Sequence, residues 1–141
     1  MILKFKIPGK AVGKGRPRVT RHGTYTPQNT VRYMNDVRNA YGDRYYFGSE
    51  AVFMEVVAYF PIPKRTTKKA IQAIADMDYL YTHKPDGDNV LKAIKDALNG
   101  VAYADDACVV YESCLRKYAK PGETPRTEVT IYDLVGGRID D

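Results

Sequence analysis

Two aspartates one residue apart, Asp86 and Asp88 in the segment KPDGDN, precede a run with helical periodicity. Carboxylates held this close repel each other unless a cation or a proton lies between them. Lys92 follows four residues after Asp88, on the same side of the expected helix. A second acidic pair, Asp105 and Asp106, precedes the next expected strand. If that strand lies beside the start of the helix, four carboxylates and one lysine converge.

A carboxylate cluster without cysteine or histidine partners favours a hard cation such as Mg²⁺, with Mn²⁺ as the alternative, because both prefer oxygen ligands. Such an ion can activate a water for phosphodiester hydrolysis, and a nearby lysine can stabilise negative charge in the transition state. A calcium-binding EF-hand loop is excluded, because Val90 and Leu91 stand where that loop needs an oxygen ligand and a glycine.

Each aspartate of the first pair also has a structural explanation. Asp88 is expected to cap the following helix, since an aspartate before a helix accepts a backbone N–H and suits the helix dipole. Asp86 suits a turn. Only the combination with Lys92 and the second acidic pair favours a site over these structural roles.

Basic residues cluster near the N-terminus. Residues 10–21 carry five basic side chains and no acidic one, which equals the net charge of the whole chain, +5. A second basic cluster lies at residues 64–69. Local positive charge is typical of a protein that binds a polyanion, with a solvated surface as the alternative. The predicted DNA-binding residues are Lys14, Arg16, Arg18, Arg21 and Lys84.

Length and composition predict one domain with its own core, since the chain has 141 residues and 44% hydrophobic content. No apolar run approaches the roughly 18 residues that cross a bilayer, and Lys4 and Lys6 interrupt the stretch where a signal peptide would be apolar. We therefore expect a cytoplasmic protein with no membrane partner. Cys108 and Cys114 are expected on one strand, too far apart for a disulfide.

The elements that must position these residues are read from periodicity and from turn residues. Strands are predicted at 2–7, 51–60, 107–119 and 126–134. Helices are predicted at 27–45 with Thr26 as the cap, at 66–77 with Thr66 as the cap, and at 89–98. Residues of about 9–25 are predicted to form a basic loop or loose hairpin, and residues of about 135–141 a flexible tail. A proline-containing turn predicts that the last two strands are antiparallel neighbours.

The segment KPDGDNVLKAIKDALNGVAYADDACVV, residues 84–110, resembles the signature of the RusA family of Holliday junction resolvases. The shared pattern is D-x-D-N, a lysine four residues after the second aspartate, D-A-L, and D-D before a strand. More weakly, GKGRPRVTRHGTYTP resembles the basic loop of phage and prophage members. The resemblance implies one RusA-like domain over residues 1–141, of α+β class, with a mixed, largely antiparallel sheet flanked by helices.

Carried over to this chain, the resemblance implies that Asp86, Asp88 and Asp106 are catalytic metal ligands and that Lys92 is the catalytic lysine. Asp105 occupies a matching position, but ranks below Asp106 because neighbours on an extended chain point to opposite sides. The family is similar in being homodimeric and Mg²⁺-dependent. It resolves four-way DNA junctions by paired symmetric nicks, in recombination and repair.

Other residues of the motif receive structural roles. Asp96 is expected to form an i,i+4 ion pair with Lys92. Gly87 stands where an apolar residue is common in the family, and is expected to loosen the turn. His83 is expected on the surface and Tyr103 in the core.

Two other functions stay open at this point. One is a non-catalytic DNA-binding protein that retains the fold. The other is a metal-dependent hydrolase of small phosphate compounds, although the basic segments are larger than a nucleotide needs.

Overall fold

The architecture is that of a computed structural model, which describes residues 1–15, 18–77, 79–134 and 139–140. Its helices are α1 Gln28–Tyr41, α2 Lys68–Asp76 and α3 Gly87–Ala97, with a short 3-10 helix at Asp106–Cys108. Its strands are β1 Ile2–Pro8, β2 Arg18–Thr20, β3 Gly23–Tyr25, β4 Val52–Phe60, β5 Val109–Tyr118, β6 Arg126–Tyr132 and β7 Ile139–Asp140. No described helix has the length and apolar character needed to cross a membrane.

The main sheet has five strands in the order β5-β4-β6-β1-β7. β6 is antiparallel to both β1 and β4, whereas β4 runs parallel to β5 and β1 parallel to β7. The strands β2 and β3 form a separate antiparallel hairpin within the predicted basic loop. The fold is therefore α+β with a mixed, largely antiparallel sheet in a single domain, which confirms the predicted class.

The prediction that β5 and β6 are neighbours is wrong, because β4 lies between them. β4 pairs along its length with β5 on one edge and with β6 on the other, so β5 cannot also pair with β6. Residues 119–125, which connect β5 to β6, are long enough to pass over the end of one strand, because neighbouring strands lie only about 4.8 Å apart.

One face of the sheet carries the core. Burial alternates along β1 and β6, and the buried side chains of α1 and α3 belong to the same cluster as those of the strands. The side chains that alternate with the buried ones form what we call the outer face. The outer face comprises Lys4, Lys6, Phe53, Glu55, Val57, Tyr59, Arg126, Glu128, Thr130 and Tyr132.

The buried stripe of helix α1 includes the polar Thr30 and leaves out the apolar Val31. Thr30, Tyr33, Val37 and Tyr41 are buried, whereas Val31 is 43% exposed. The polar groups of the buried stripe are satisfied, since the Tyr33 hydroxyl lies 2.9 Å from Thr127 Oγ1. The helix ends at Tyr41, before the predicted end at residue 45, because Gly42 adopts a positive φ of 61°.

The caps and the tail also differ from prediction in detail. Thr26 does not cap α1, whose N-cap position is Pro27. Thr67, rather than Thr66, accepts the Ala70 N–H at the start of α2, while Thr66 donates to the Pro63 carbonyl. Of the predicted flexible tail, Ile139–Asp140 pairs with β1, whose edge offers free backbone groups, and residues 135–138 and 141 lie outside the described part.

The cysteine thiols are free, as predicted. The expectation that both lie on one strand is wrong, because Cys108 ends the 3-10 helix and only Cys114 lies in β5. Burial raises the pKa of the Cys114 thiol to about 11.

Candidate active site

Helix α3 turns one face to the core and the other to a cleft. Val90, Leu91 and Ile94 are buried, whereas Asp88 and Lys92 are exposed on the other side. Because the apolar face packs against the sheet, the positions of the polar side chains are set by the fold rather than by their own contacts.

The first turn of α3 is capped by Asp86, not by Asp88 as predicted. Asp86 Oδ1 accepts the Asn89 N–H at 2.9 Å, and Asp88 lies in the first turn. Gly87 is the first residue of the helix and lies beside β5, where a Cβ on Gly87 would be at an ordinary contact distance of 3.5 Å from Cys114 Cβ. Gly87 therefore belongs to the helix rather than to a loosened turn.

The two residues of the second acidic pair have different surroundings. Asp105 is the N-cap of the 3-10 helix, and its Oδ2 accepts the Ala107 N–H at 3.1 Å. Asp106 is half-buried and lines the cleft beside α3. The ranking of Asp106 above Asp105 agrees with this arrangement, and a metal role for either residue remains a prediction.

The cleft has a volume of about 740 Å³ and brings together most of the predicted site. It is lined by Lys14, Gly15, Asp86, Asp88, Asn89, Lys92, Lys95, Asp96 and Asp106. Of the four carboxylates expected beside Lys92, the structure places Asp86, Asp88 and Asp106 along the same cleft as this lysine, whereas Asp105 does not line it.

The expected ion pair between Asp96 and Lys92 is wrong, because Asp96 pairs with Lys14. The N-terminal segment reaches α3 closely enough for this, since the Lys14 N–H donates to the Asn89 carbonyl at 3.0 Å. Gly13 permits the approach: a Cβ there would lie 2.8 Å from Pro85 Cβ, closer than side chains pack. Lys14, predicted as a DNA contact, thus lies inside the acidic cleft.

Three carboxylates of the cleft keep their charge uncompensated. Lys95 pairs with Glu112 at 2.8 Å and Lys14 with Asp96. Within the described part of the chain, Asp86, Asp88, Asp106 and Lys92 make no ion pair. Three carboxylates and one ammonium leave two net negative charges. The cleft therefore has the charge to attract a divalent cation.

The carboxylates are not gathered into a ready-made cage. Among the described residues, no three His, Cys, Asp or Glu side chains are grouped closely enough to hold a metal ion. Mg²⁺ does not require such a cage, since it is commonly held by one or two carboxylates and completes its shell with water and substrate phosphates. The all-oxygen donor set of the cleft fits an ion of this kind.

Tyr103 lies close to the carboxylates of Asp106 and Asp96. It is fully buried, as predicted, and its hydroxyl donates to the Lys95 carbonyl at 2.9 Å. Burial raises the pKa of this hydroxyl strongly, and the nearby carboxylates of Asp106 and Asp96 raise the pKa further. Tyr103 is therefore a neutral core residue, joined to helix α3 by its hydrogen bond to the Lys95 carbonyl.

The remaining predicted DNA contacts are only partly described. Arg21 and Lys84 are exposed, and Lys84 lies two residues before Asp86. Arg16 lies outside the described residues, as does the side chain of Arg18, whose backbone begins β2. His83 is exposed, as predicted, with its ring against Tyr81.

Sequence reasoning missed two features of the site. One is the position of Lys14, which depends on the close approach permitted by Gly13. The other is Arg116 on β5, which donates to the carbonyls of His83 and Pro85, just before the first aspartate. No sequence signal distinguishes Arg116 from any other polar residue of an alternating strand.

Comparisons with known proteins match the chain over nearly its whole length. The family Endodeoxyribonuclease RusA matches residues 8–132, a range that includes every residue lining the cleft. The uncharacterized protein YqaN of Bacillus subtilis (strain 168) is 32% identical over an alignment of 146 positions, which covers 94% of this chain and 96% of that protein. The chain thus belongs to the RusA endodeoxyribonuclease family and is a nuclease that acts on DNA.

Proposed function

We propose that this protein resolves four-way DNA junctions as a Mg²⁺-dependent endonuclease, making paired symmetric nicks in the recombination and repair of cytoplasmic DNA. Mn²⁺ is the alternative ion. The observation that carries the proposal is the cleft, in which Asp86, Asp88 and Asp106 lie beside Lys92 without ion-pair partners among the described residues. A divalent cation balances the two net negative charges of these four side chains.

The three carboxylates are the residues that would hold the ion. A bound Mg²⁺ supplies Lewis-acid chemistry to phosphodiester hydrolysis. Asp86 retains one carboxylate oxygen for this purpose, because Oδ1 is committed to the helix cap. Asp88 and Asp106 line the same cleft as Asp86, and an ion bound by one or two of these carboxylates would complete its shell with water and substrate phosphates.

Lys92 is proposed to bind the scissile phosphate. Its side chain is exposed in the cleft one helical turn beyond Asp88, where its ammonium can donate to a phosphate oxygen as negative charge increases there. Interactions of this kind lower the barrier because they strengthen in the transition state.

The basic residues near the cleft are proposed to bind the DNA backbone. Lys84 lies two residues before Asp86, which lines the cleft. The hairpin β2–β3 begins at Arg18, shortly after Lys14 and Gly15, which also line it. The proposed phosphate contacts are Lys14, Arg16, Arg18, Arg21 and Lys84. Phosphate contacts position a nuclease on DNA without reading its sequence, which suits an enzyme that recognises junction shape.

We further propose that the active form is a homodimer. A four-way junction offers two equivalent strands to cut, and the cleft of one chain reaches only one of them at a time. A two-fold partner places a second cleft on the opposite strand, and two-fold dimers are the commonest oligomers. Light scattering at micromolar concentration tests this, and a monomer there would contradict it.

The function is tested by incubating the protein and Mg²⁺ with an end-labelled four-way junction and with a linear duplex carrying the sequence of two arms. We expect nicks at symmetric positions of the junction, and slower cutting of the duplex. Junction binding without nicks at any metal concentration would instead support a non-catalytic DNA-binding protein. Hydrolysis of mononucleotides with intact junctions would support a small-phosphate hydrolase.

A further inference from the structure

The segment that leads into the acidic motif is attached to the edge of β5. The Tyr81 N–H donates to the Arg116 carbonyl at 3.0 Å, and the Tyr118 N–H donates to the Tyr79 carbonyl at 2.9 Å. Between them, Leu80 pairs with Lys117 in an antiparallel bridge. β5 therefore determines where this segment runs before it reaches Asp86.

Each of the three carbonyls before Asp86 accepts a side-chain hydrogen bond from this region. Arg116 Nη1 donates to the carbonyls of His83 at 2.7 Å and Pro85 at 3.0 Å. The Tyr81 hydroxyl donates to the Lys84 carbonyl at 2.5 Å. Three consecutive carbonyls bound in this way leave the backbone little freedom to shift Asp86.

The two donors are themselves held by the core. The Tyr81 ring stacks on Phe60 with 3.8 Å between ring centroids, and Phe60 is fully buried. The guanidinium of Arg116 lies 5.9 Å from the centre of the Tyr81 ring and makes a cation–π contact with it. The support is therefore continuous from the core through Tyr81 and Arg116 to the backbone of the motif.

The same strand also contacts the first turn of α3. Cys114 and Arg116 are two residues apart on β5 and so point to the same side, and Cys114 packs beside Gly87. Arg116 holds the residue before Asp86, and Cys114 contacts the residue after it.

We propose that Arg116 is a positioning residue of the active site, which holds Asp86 and Asp88 where they can share a cation. This inference rests on the proposed metal-dependent function. Arginine suits the task because one planar guanidinium can donate to two carbonyls in fixed directions, which a flexible lysine ammonium does less well. Partners that orient metal ligands typically contribute 10–100-fold to metal affinity.

The test measures Mn²⁺ affinity without DNA, from the electron paramagnetic resonance signal of the free ion, for the wild-type protein, Arg116→Ala and Arg116→Lys. We expect Arg116→Ala to bind Mn²⁺ at least about 10-fold more weakly, and Arg116→Lys, which keeps the charge, to bind with intermediate affinity. The control is Arg126→Ala, which removes an outer-face arginine that contacts Tyr59 and Glu128, and should leave affinity unchanged.

A second readout separates positioning from general stability. Excess Mn²⁺ should restore the junction-cleavage rate of Arg116→Ala towards that of the wild type. Because a bound ion also stabilises a folded protein, urea unfolding without metal must show that the variant is folded under the assay conditions. Equal Mn²⁺ affinity in wild type and Arg116→Ala would overturn the proposal. If Arg116→Ala does not fold, equal affinity in Arg116→Lys would do the same. A wild-type protein that binds no Mn²⁺ would instead contradict the metal site itself, and the role of Arg116 with it.

Discussion

The cleft and the outer face both expose charged side chains, but they treat those charges differently. On the outer face, Arg126 donates to Glu128 at 2.8 Å and its guanidinium lies 3.8 Å from the centre of the Tyr59 ring. In the cleft, Asp88 and Asp106 make no ion pair with any described residue. Arg126 and Glu128 compensate each other within the chain, whereas Asp88 and Asp106 have no such partner among the described residues.

This difference shows why exposed charge alone is a weak sign of function. Ion pairs between exposed side chains contribute little to stability. The outer-face pair of Arg126 and Glu128 therefore adds little beyond keeping both charges compensated. Like charges gathered without partners are unfavourable, so we expect such a cluster to bind a ligand of opposite charge. The predictions below test this contrast.

The largest effect is expected from removing one cleft carboxylate. Asp86→Asn, Asp88→Asn and Asp106→Asn should each lower junction cleavage at least about 100-fold, because each removes a metal ligand. Junction binding should be unchanged or stronger, since negative charge facing the DNA is lost. Cleavage and gel-shift assays on the same preparations measure both effects.

The outer face supplies the control for these variants. Glu128→Gln makes the same kind of substitution at a carboxylate that is already paired, and should keep full activity. Asparagine caps a helix about as well as aspartate, so Asp86→Asn should also keep its unfolding free energy, whereas Asp86→Ala should lose about 1 kcal/mol. Full activity in two of the three asparagine variants would contradict the site.

The next effect concerns the one cleft lysine without an ion-pair partner among the described residues. Lys92→Ala should lower the single-turnover nicking rate at saturating protein by about 100-fold, with little change in junction affinity, as expected for an interaction made mainly in the transition state. Lys95→Ala is the comparison on the same helix, because Lys95 is paired with Glu112. A loss of binding with an unchanged rate would make Lys92 a DNA contact only.

A smaller effect is expected from the basic loop, whose charges should act on binding rather than on chemistry. Replacing Arg16 and Arg18 together by alanine should weaken binding to all DNA sequences alike. It should also reduce the slope of log affinity against log salt by about two, because each lost phosphate contact reduces it by about one. An unchanged salt slope would show that these arginines do not contact phosphates.

The smallest effect tests the contact that places Lys14 in the cleft. Gly13→Ala should reduce the free energy of unfolding by about 1–3 kcal/mol, because its Cβ would overlap Pro85. Gly87→Ala is the matched glycine, since its Cβ would meet Cys114 at an ordinary contact distance of 3.5 Å, and should not destabilise the helix. Urea unfolding of both variants measures the difference; equal stability would show that the approach of the two segments is not close.

Local features of the site were predictable from the sequence, and features that depend on strand order were not. The apolar face of α3 follows from spacing, and it places Asp88 and Lys92 on the opposite side. Both aspartates of the first pair qualify as caps, and only the structure shows that Asp86 is the cap and that Gly87 fits beside Cys114. That fit requires knowing which strand lies beside the helix.

The remaining errors concern contacts between segments that are distant in the sequence, and the position of β4 between β5 and β6 is one of them. A turn between two strands favours pairing them, but the connection spans one intervening strand instead. The pairing of Lys14 with Asp96 and the bonds of Arg116 to the motif are likewise contacts between distant segments. Periodicity carries no information on such contacts.

The most direct test of the central claim is a Mn²⁺ titration of the wild-type protein, Asp88→Asn and Glu128→Gln, followed by the electron paramagnetic resonance signal of the free ion. If the cleft is balanced by a divalent cation, wild type and Glu128→Gln bind Mn²⁺ equally, and Asp88→Asn binds it at least about 10-fold more weakly. Equal binding by all three proteins, or no binding by the wild type, would contradict the account.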